Sequence, residues 1–151
     1  MKILNEMSLT IKALSINEGF ARSTVAAFCV NSNLTLDELT EIKTAVSEAV
    51  TNCVVHAYPN SAGDIKINVK QTAEKIFISV TDFGIGIDNL ERAREPFFTT
   101  KADEERSGMG FTVMESFMDK VDIKRNKKNG VTVYMEKNLR KSKIKALEAW
   151  C

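Results

Sequence analysis

The sequence predicts an α/β fold, more narrowly α+β: a two-layer sandwich in which a mixed, mostly antiparallel sheet is covered on one face by helices. Three observations carry that prediction. Met7, Leu9 and Ile11, then Ile65, Ile67 and Val69, then Ile76, Ile78 and Val80 alternate with more polar neighbours, the period of half-buried strands. Ile42, Ala45, Val46, Ala49, Val50, Cys53, Val54 and Ala57 recur instead at helical spacing, the strongest periodicity in the chain. Two further apolar strand patterns, Val121 to Lys124 and Val131 to Met135, follow a third helical segment.

Taken in order, the first strand surrounds Met7, Leu9 and Ile11. Ser15 with Glu18 three residues later reads as a capping box, opening a helix whose Phe20, Val25, Ala26, Phe28 and Cys29 supply apolar surface up to about Asn31. Thr35 with Glu38 repeats the signal and starts the long helix, which Pro59 stops because a proline ring cannot continue it. The strands at 65–69 and 76–80 form a hairpin turning near Ala73 and Glu74. A short helical stretch from Leu90 to Arg94 and a polar segment from Thr99 to Ser107 come next. Gly110 to Met118 reads as a helix, and Asn126-Lys127-Lys128-Asn129-Gly130 as the turn between the last two strands. From Asn138 to Cys151 the chain is a polar tail, basic and then helical in pattern.

With 151 residues, 44% of them apolar, the chain is expected to form one domain, residues 1–151, with a real core. The net charge of +1 and the mixed signs of the 27% charged residues argue against nucleic acid or anionic membrane as partners. No signal-peptide core and no apolar run near the roughly 20 residues of a membrane span is present, so a cytoplasmic location is expected. Cys29 and Cys53 read as small core hydrophobes and Cys151 as a tail thiol, without disulfide or metal spacing.

Glu48 and Asn52 lie four apart on the long helix, so their side chains share one side, at the edge of the apolar arc together with His56. An amide oxygen there is a hard ligand suited to Mg²⁺, and a carboxylate beside it can orient or deprotonate an attacking group. Spacing alone favours a solvated helix face, a preference that the other two blocks reverse. Asp82 continues the alternation of Ile76, Ile78 and Val80, which turns its carboxylate toward the helices, where burial demands a hydrogen-bond donor such as an adenine amine. Gly84 and Gly86 allow a flat base to approach the backbone, although Asp-x-Gly-x-Gly by itself is also an ordinary turn. Ser107, Gly108, Met109 and Gly110 open a helix whose first N–H groups are free for phosphate. Lys101 and Arg106 can reach a terminal phosphate, and Thr99 and Thr100 add hydroxyls at the edge of a lid or are simply loop polarity.

These three blocks, in this order, resemble the ATPase and kinase superfamily shared by gyrase, Hsp90, histidine kinases and MutL, whose ATP site is of the Bergerat type. Glu48-Ala49-Val50-Thr51-Asn52 with His56 and Tyr58 is similar to its Asn box. Asp82-Phe83-Gly84-Ile85-Gly86 resembles the first glycine box, and Arg106-Ser107-Gly108-Met109-Gly110-Phe111 the second. Pro96-Phe97-Phe98-Thr99-Thr100-Lys101 followed by Glu105 to Phe111 is most similar to the bacterial anti-sigma factor serine kinases, nearest to those that antagonise the sporulation factor sigma-F.

The resemblance implies a protein that holds a sigma factor inactive and uses Mg-ATP to phosphorylate a serine on a small anti-anti-sigma factor. It implies Glu48 as general base, Asn52 as the Mg²⁺ ligand, Asp82 for adenine, and Ser107, Gly108 and Gly110 for phosphates. His56 is then structural, since the phosphorylated His of histidine kinases belongs to a separate domain for which 151 residues leave no room. The resemblance also implies a homodimer, through the first strand and helix. Arg22, on the otherwise small and apolar first helix, is a candidate partner contact beside its plain reading as a solvated cation. One departure stands out. The family carries Thr directly after the last glycine, and here the order is Gly130-Val131-Thr132. In a strand Thr132 faces away from Val131, so adenine is expected to lose one hydrogen bond, about 1 kcal/mol or roughly fivefold in affinity. Two other readings remain: a nucleotide-gated partner-binding module without kinase activity, and a detached histidine-kinase-like ATPase domain.

Overall fold

The computed structural model describes residues 2–32, 34–59, 61–86 and 110–139. Within them lie five strands, β1 (Ile3–Lys12), β2 (Asp64–Thr72), β3 (Lys75–Asp82), β4 (Lys120–Arg125) and β5 (Val131–Asn138), and three α-helices, α1 (Asn17–Cys29), α2 (Leu36–Asn52) and α3 (Gly110–Phe117). The strands form one sheet in the order β1-β2-β3-β5-β4, and each neighbouring pair is antiparallel. The expected stretch at 90–94, the polar segment 99–107 and the tail beyond Leu139 lie outside the described residues.

One sheet face carries the core, as the period-two patterns predict. Met7, Leu9 and Ile11 pair with Val69, Ile67 and Ile65, and Val69 and Ile67 pair in turn with Ile78 and Val80. Ile65, Ile67, Val69, Ile76, Ile78, Val80, Val133 and Met135 are buried against the helices. Burying each such side chain contributes about 1.5–3 kcal/mol, so this face defines which side of the sheet the helices must cover. From α2 come Ile42, Ala45, Val46, Ala49 and Val50, the stripe its periodicity marks out.

The Thr35 and Glu38 capping box forms: Thr35 Oγ1 accepts the Glu38 N–H at 3.1 Å and the Glu38 carboxylate accepts the Thr35 N–H. The expected box at Ser15 and Glu18 does not. There α1 starts after Ile16 with no side-chain cap. Glu18 instead accepts from Arg22 Nη1 at 2.7 and 2.8 Å and from the Ser47 hydroxyl of α2. With its oxygens taken by Arg22 and Ser47, the Glu18 carboxylate is not left to the Ser15 backbone N–H that a capping box would give it. Phe20, expected to supply core surface, is 54% exposed; α1 packs through Ala21, Val25 and Cys29.

Nor does α2 run unbroken to Pro59. After Asn52 the chain widens into a single π-helical turn, Cys53–Ala57, and leaves it at Tyr58 with φ −129° and ψ 75°. The residue before a proline is biased away from helical geometry, which ends the helix one position early. Cys53 and Ala57 stay buried in that turn. At the opposite end of the helical layer Lys137 of β5, 7% exposed, donates to Glu41 Oε2 of α2 at 2.7 Å and to the Phe117 carbonyl at the end of α3 at 2.6 Å.

Candidate functional site

The capped, core-packed α2 fixes Glu48 and Asn52 on one face, four residues apart. The first residue of α3 comes directly against them: a Cβ built on Gly110 lies 3.2 Å from Asn52 Nδ2, 3.3 Å from Asn52 Oδ1 and 3.4 Å from Glu48 Oε2. The glycine leaves the space between the two helices to these polar groups. Asn52 Nδ2 is buried and has no hydrogen-bond partner among the described residues. A buried amide group left unsatisfied costs about 1–3 kcal/mol, which a bound ligand would remove. Half a turn of the carboxamide exchanges its oxygen and nitrogen, and an oxygen there is the hard donor that Mg²⁺ takes. The residues present therefore fit a nucleotide-bound Mg²⁺.

Asp82 closes β3 and is 6% exposed, facing the helices as the alternation predicts. Its Oδ1 accepts the Gly84 N–H and the Val131 N–H, each at 3.1 Å. Its Oδ2 meets the Cys53 thiol at 3.8 Å. Burial raises the Asp82 pKa above its ordinary value, opposed by the hydrogen bonds from Gly84, Val131 and Cys53. Burial, reinforced by the negative Asp82, pushes the Cys53 thiol well up, so it stays protonated and able to donate. A thiol is a weak donor, which leaves Oδ2 able to accept a stronger one.

Gly84 shows why this loop needs glycine, because a Cβ there falls 2.0 Å from the Ala57 carbonyl oxygen. Ile85 donates its N–H to the same oxygen at 3.0 Å. Tyr58 adds a second tie, accepting the Phe83 N–H at 2.7 Å and donating to the Asp64 carbonyl at 2.7 Å. Gly86 follows with φ 79°. The π turn after Asn52 and the loop after Asp82 are thus stitched together, which brings two remote blocks of sequence to one place.

Asn52, Glu48 and Gly110 meet directly, and Asp82 joins them through Cys53, the residue next to Asn52. Lys101, Arg106, Thr99, Thr100, Ser107, Gly108 and Met109 lie outside the described residues. Arg22 stands apart from this cluster, half-exposed on α1 and held by Glu18. Thr132 is turned from the site as expected, its hydroxyl 3.0 Å from that of Thr81.

Two residues escaped the sequence reading. Cys53 looked like a plain core residue, and only its position next to Asn52 hinted at the site. Asn126 looked like a turn former, yet its Nδ2 donates to the Asp82 carbonyl at 2.7 Å.

Residues 13–137 match the family model described as the histidine kinase-like ATPase domain. Relatives named anti-sigma F factor include those of Bacillus licheniformis (53% identical), Anoxybacillus flavithermus (54%) and Bacillus subtilis (52%), each match covering 92% of this chain and 96% of the relative. A solved Mycobacterium tuberculosis structure of RsbU and RsbW domains superposes on 89% of this chain and 32% of its own, with a TM-score of 0.64 at 17% identity, a likeness of fold.

Proposed function

The chain belongs to the histidine kinase-like ATPase domain family and, within it, groups with the anti-sigma F factors, and from that premise we propose that it is a sigma-factor antagonist that is also a serine kinase. It holds a sigma factor of the sigma-F type inactive and uses Mg-ATP to phosphorylate a serine on an anti-anti-sigma factor. The observation that supports this reading best is the meeting of Glu48 and Asn52 at the first residue of α3, where the buried Asn52 amide nitrogen has no partner among the described residues.

Each residue then has a task. Asp82 takes the adenine amine on Oδ2, its Oδ1 being held by two backbone N–H groups. Asn52 would hold Mg²⁺, which supplies charge neutralisation at the phosphates. The first N–H groups of α3, with Ser107, Gly108 and Met109 before them, receive phosphate oxygens. Glu48 orients the partner's serine hydroxyl and accepts its proton, while Lys101 and Arg106 offset charge on the transferring group and Thr99 and Thr100 contribute hydroxyls to nucleotide binding. Arg22, its guanidinium pre-oriented by Glu18, contacts a protein partner. We further propose a cytoplasmic homodimer built through β1 and α1, with residues 1–151 as one functional domain. Among the described residues no helix is long and apolar enough to cross a membrane.

Incubation with γ-labelled ATP, Mg²⁺ and the anti-anti-sigma factor, followed by mapping of the labelled residue, tests the proposal. Label on a serine supports it, and label on a histidine overturns it in favour of a detached histidine-kinase-like domain. Absence of label with intact sigma-factor binding reduces the protein to a nucleotide-gated binding module.

A further inference from the structure

The Asn126–Gly130 turn lies against the loop that follows Asp82, touching the Asp82 backbone carbonyl, the Phe83 ring and Gly86. Asn126 uses both arms of its carboxamide. The oxygen collects the Lys128 N–H at 2.9 Å and the Gly130 N–H at 3.2 Å, and the nitrogen reaches across to the Asp82 carbonyl at 2.7 Å. Its backbone N–H donates to the Gly130 carbonyl at 3.0 Å, and its own carbonyl accepts from Asn129 at 3.2 Å. Lys128 places its ammonium 5.5 Å from the centre of the Phe83 ring. Gly130 packs so tightly on β3 that a Cβ would fall 2.1 Å from the Asp82 carbonyl oxygen. The next residue, Val131, then donates its N–H to Asp82 Oδ1.

We infer that Asn126 is a positioning residue for base recognition: by tying the turn to the Asp82 backbone it sets where the Val131 N–H stands, and so aims the Asp82 carboxylate at an adenine amine. The inference rests on the reading of Asp82 as the adenine acceptor. An Asn that merely shaped the turn would need only its oxygen, and Asp or Ser would serve as well. The arm directed at Asp82 is the nitrogen, which neither of those side chains possesses.

Two variants separate the roles. Asn126→Asp keeps the acceptor arm and loses the donor, and Asn126→Ala loses both. Each is titrated with ATP and with purine riboside triphosphate, which lacks the exocyclic amine, on the same preparation, so that any unfolded fraction cancels in the ratio of affinities. The expected result is a loss of about fivefold in preference for ATP in both variants, with little change toward the amine-free analogue. A parallel weakening of both ligands, leaving the ratio at its wild-type value, overturns the inference. Asp82→Asn is the control for the underlying reading. If it leaves the ratio unchanged, adenine is not read by Asp82 and the inference falls with that reading; if it collapses the ratio while both Asn126 variants retain it, the inference alone falls.

Discussion

Val131 donates its backbone N–H to Asp82 Oδ1 across 3.1 Å, from the strand beside the one that Asp82 closes. That bond opposes the burial that raises the carboxyl pKa, but it does not cancel it. In the unfolded chain Asp82 releases its proton near 3.8, and in the folded protein at a higher pH. Its contribution to stability is therefore fully present below 3.8 and is lost as pH rises through the folded value. At neutral pH the ionised carboxylate is a cost that the apo protein carries. Asp82→Asn is expected to raise the urea midpoint of the apo protein at pH 7. The same variant is expected to weaken ATP roughly 10- to 100-fold, since the new amide turns a donor toward adenine. In the wild type, calorimetric titrations are expected to show affinity falling as pH drops into the raised carboxyl range.

Val131 is the position at which a hydroxyl can be restored. Its side chain is 5% exposed and shares the inner face with Val133, while Thr132 is paired outward with Thr81. Val131→Thr is expected to tighten ATP binding up to about fivefold with phosphotransfer intact. Equilibrium titration of the two proteins under identical Mg²⁺ gives the comparison.

Glu48→Gln keeps the shape that rests against Gly110 and removes the proton acceptor. Phosphotransfer to the anti-anti-sigma factor is expected to fall by about 10² to 10⁴, with ATP affinity changed less than severalfold. Single-turnover transfer measured beside nucleotide titration separates the two effects.

Lys137 is held by Glu41 and by the last turn of α3. Lys137→Met fills much of the same volume but leaves the Phe117 carbonyl without its donor and Glu41 without its cation. Glu41, whose side chain is a third exposed, can recover water, so the expected loss is about 1–3 kcal/mol rather than that of a fully buried pair. Urea unfolding is expected to show a lower midpoint at an unchanged slope.

What was legible in the sequence was whatever depends on period and on local chemistry. The α2 stripe, the β2–β3 hairpin, the Thr35 cap and the inward Asp82 all follow from spacing that no distant contact overrides. The Ser15 cap failed because Arg22 and Ser47, one turn away and one helix away, claim the same carboxylate. The π turn was hidden for a related reason. Its extra residue is fixed by the Ala57 carbonyl receiving Ile85 and by Pro59 acting on Tyr58, and only the second of these is written locally. At the candidate site, Asn52, Glu48 and Asp82 stand out only through the order of the three blocks together, whereas Cys53 and Asn126 meet Asp82 from positions remote in the chain.

The outward Thr81–Thr132 pair also limits how this protein can change over generations. Deleting one residue from the turn before β5 would carry the Thr132 hydroxyl inward in a single event. The same slip would swing Lys137 out toward water and strand Glu41 and the end of α3, because every later side chain on the strand would reverse with it. A codon change at Val131 is the route left to a lineage that gains from holding adenine more tightly.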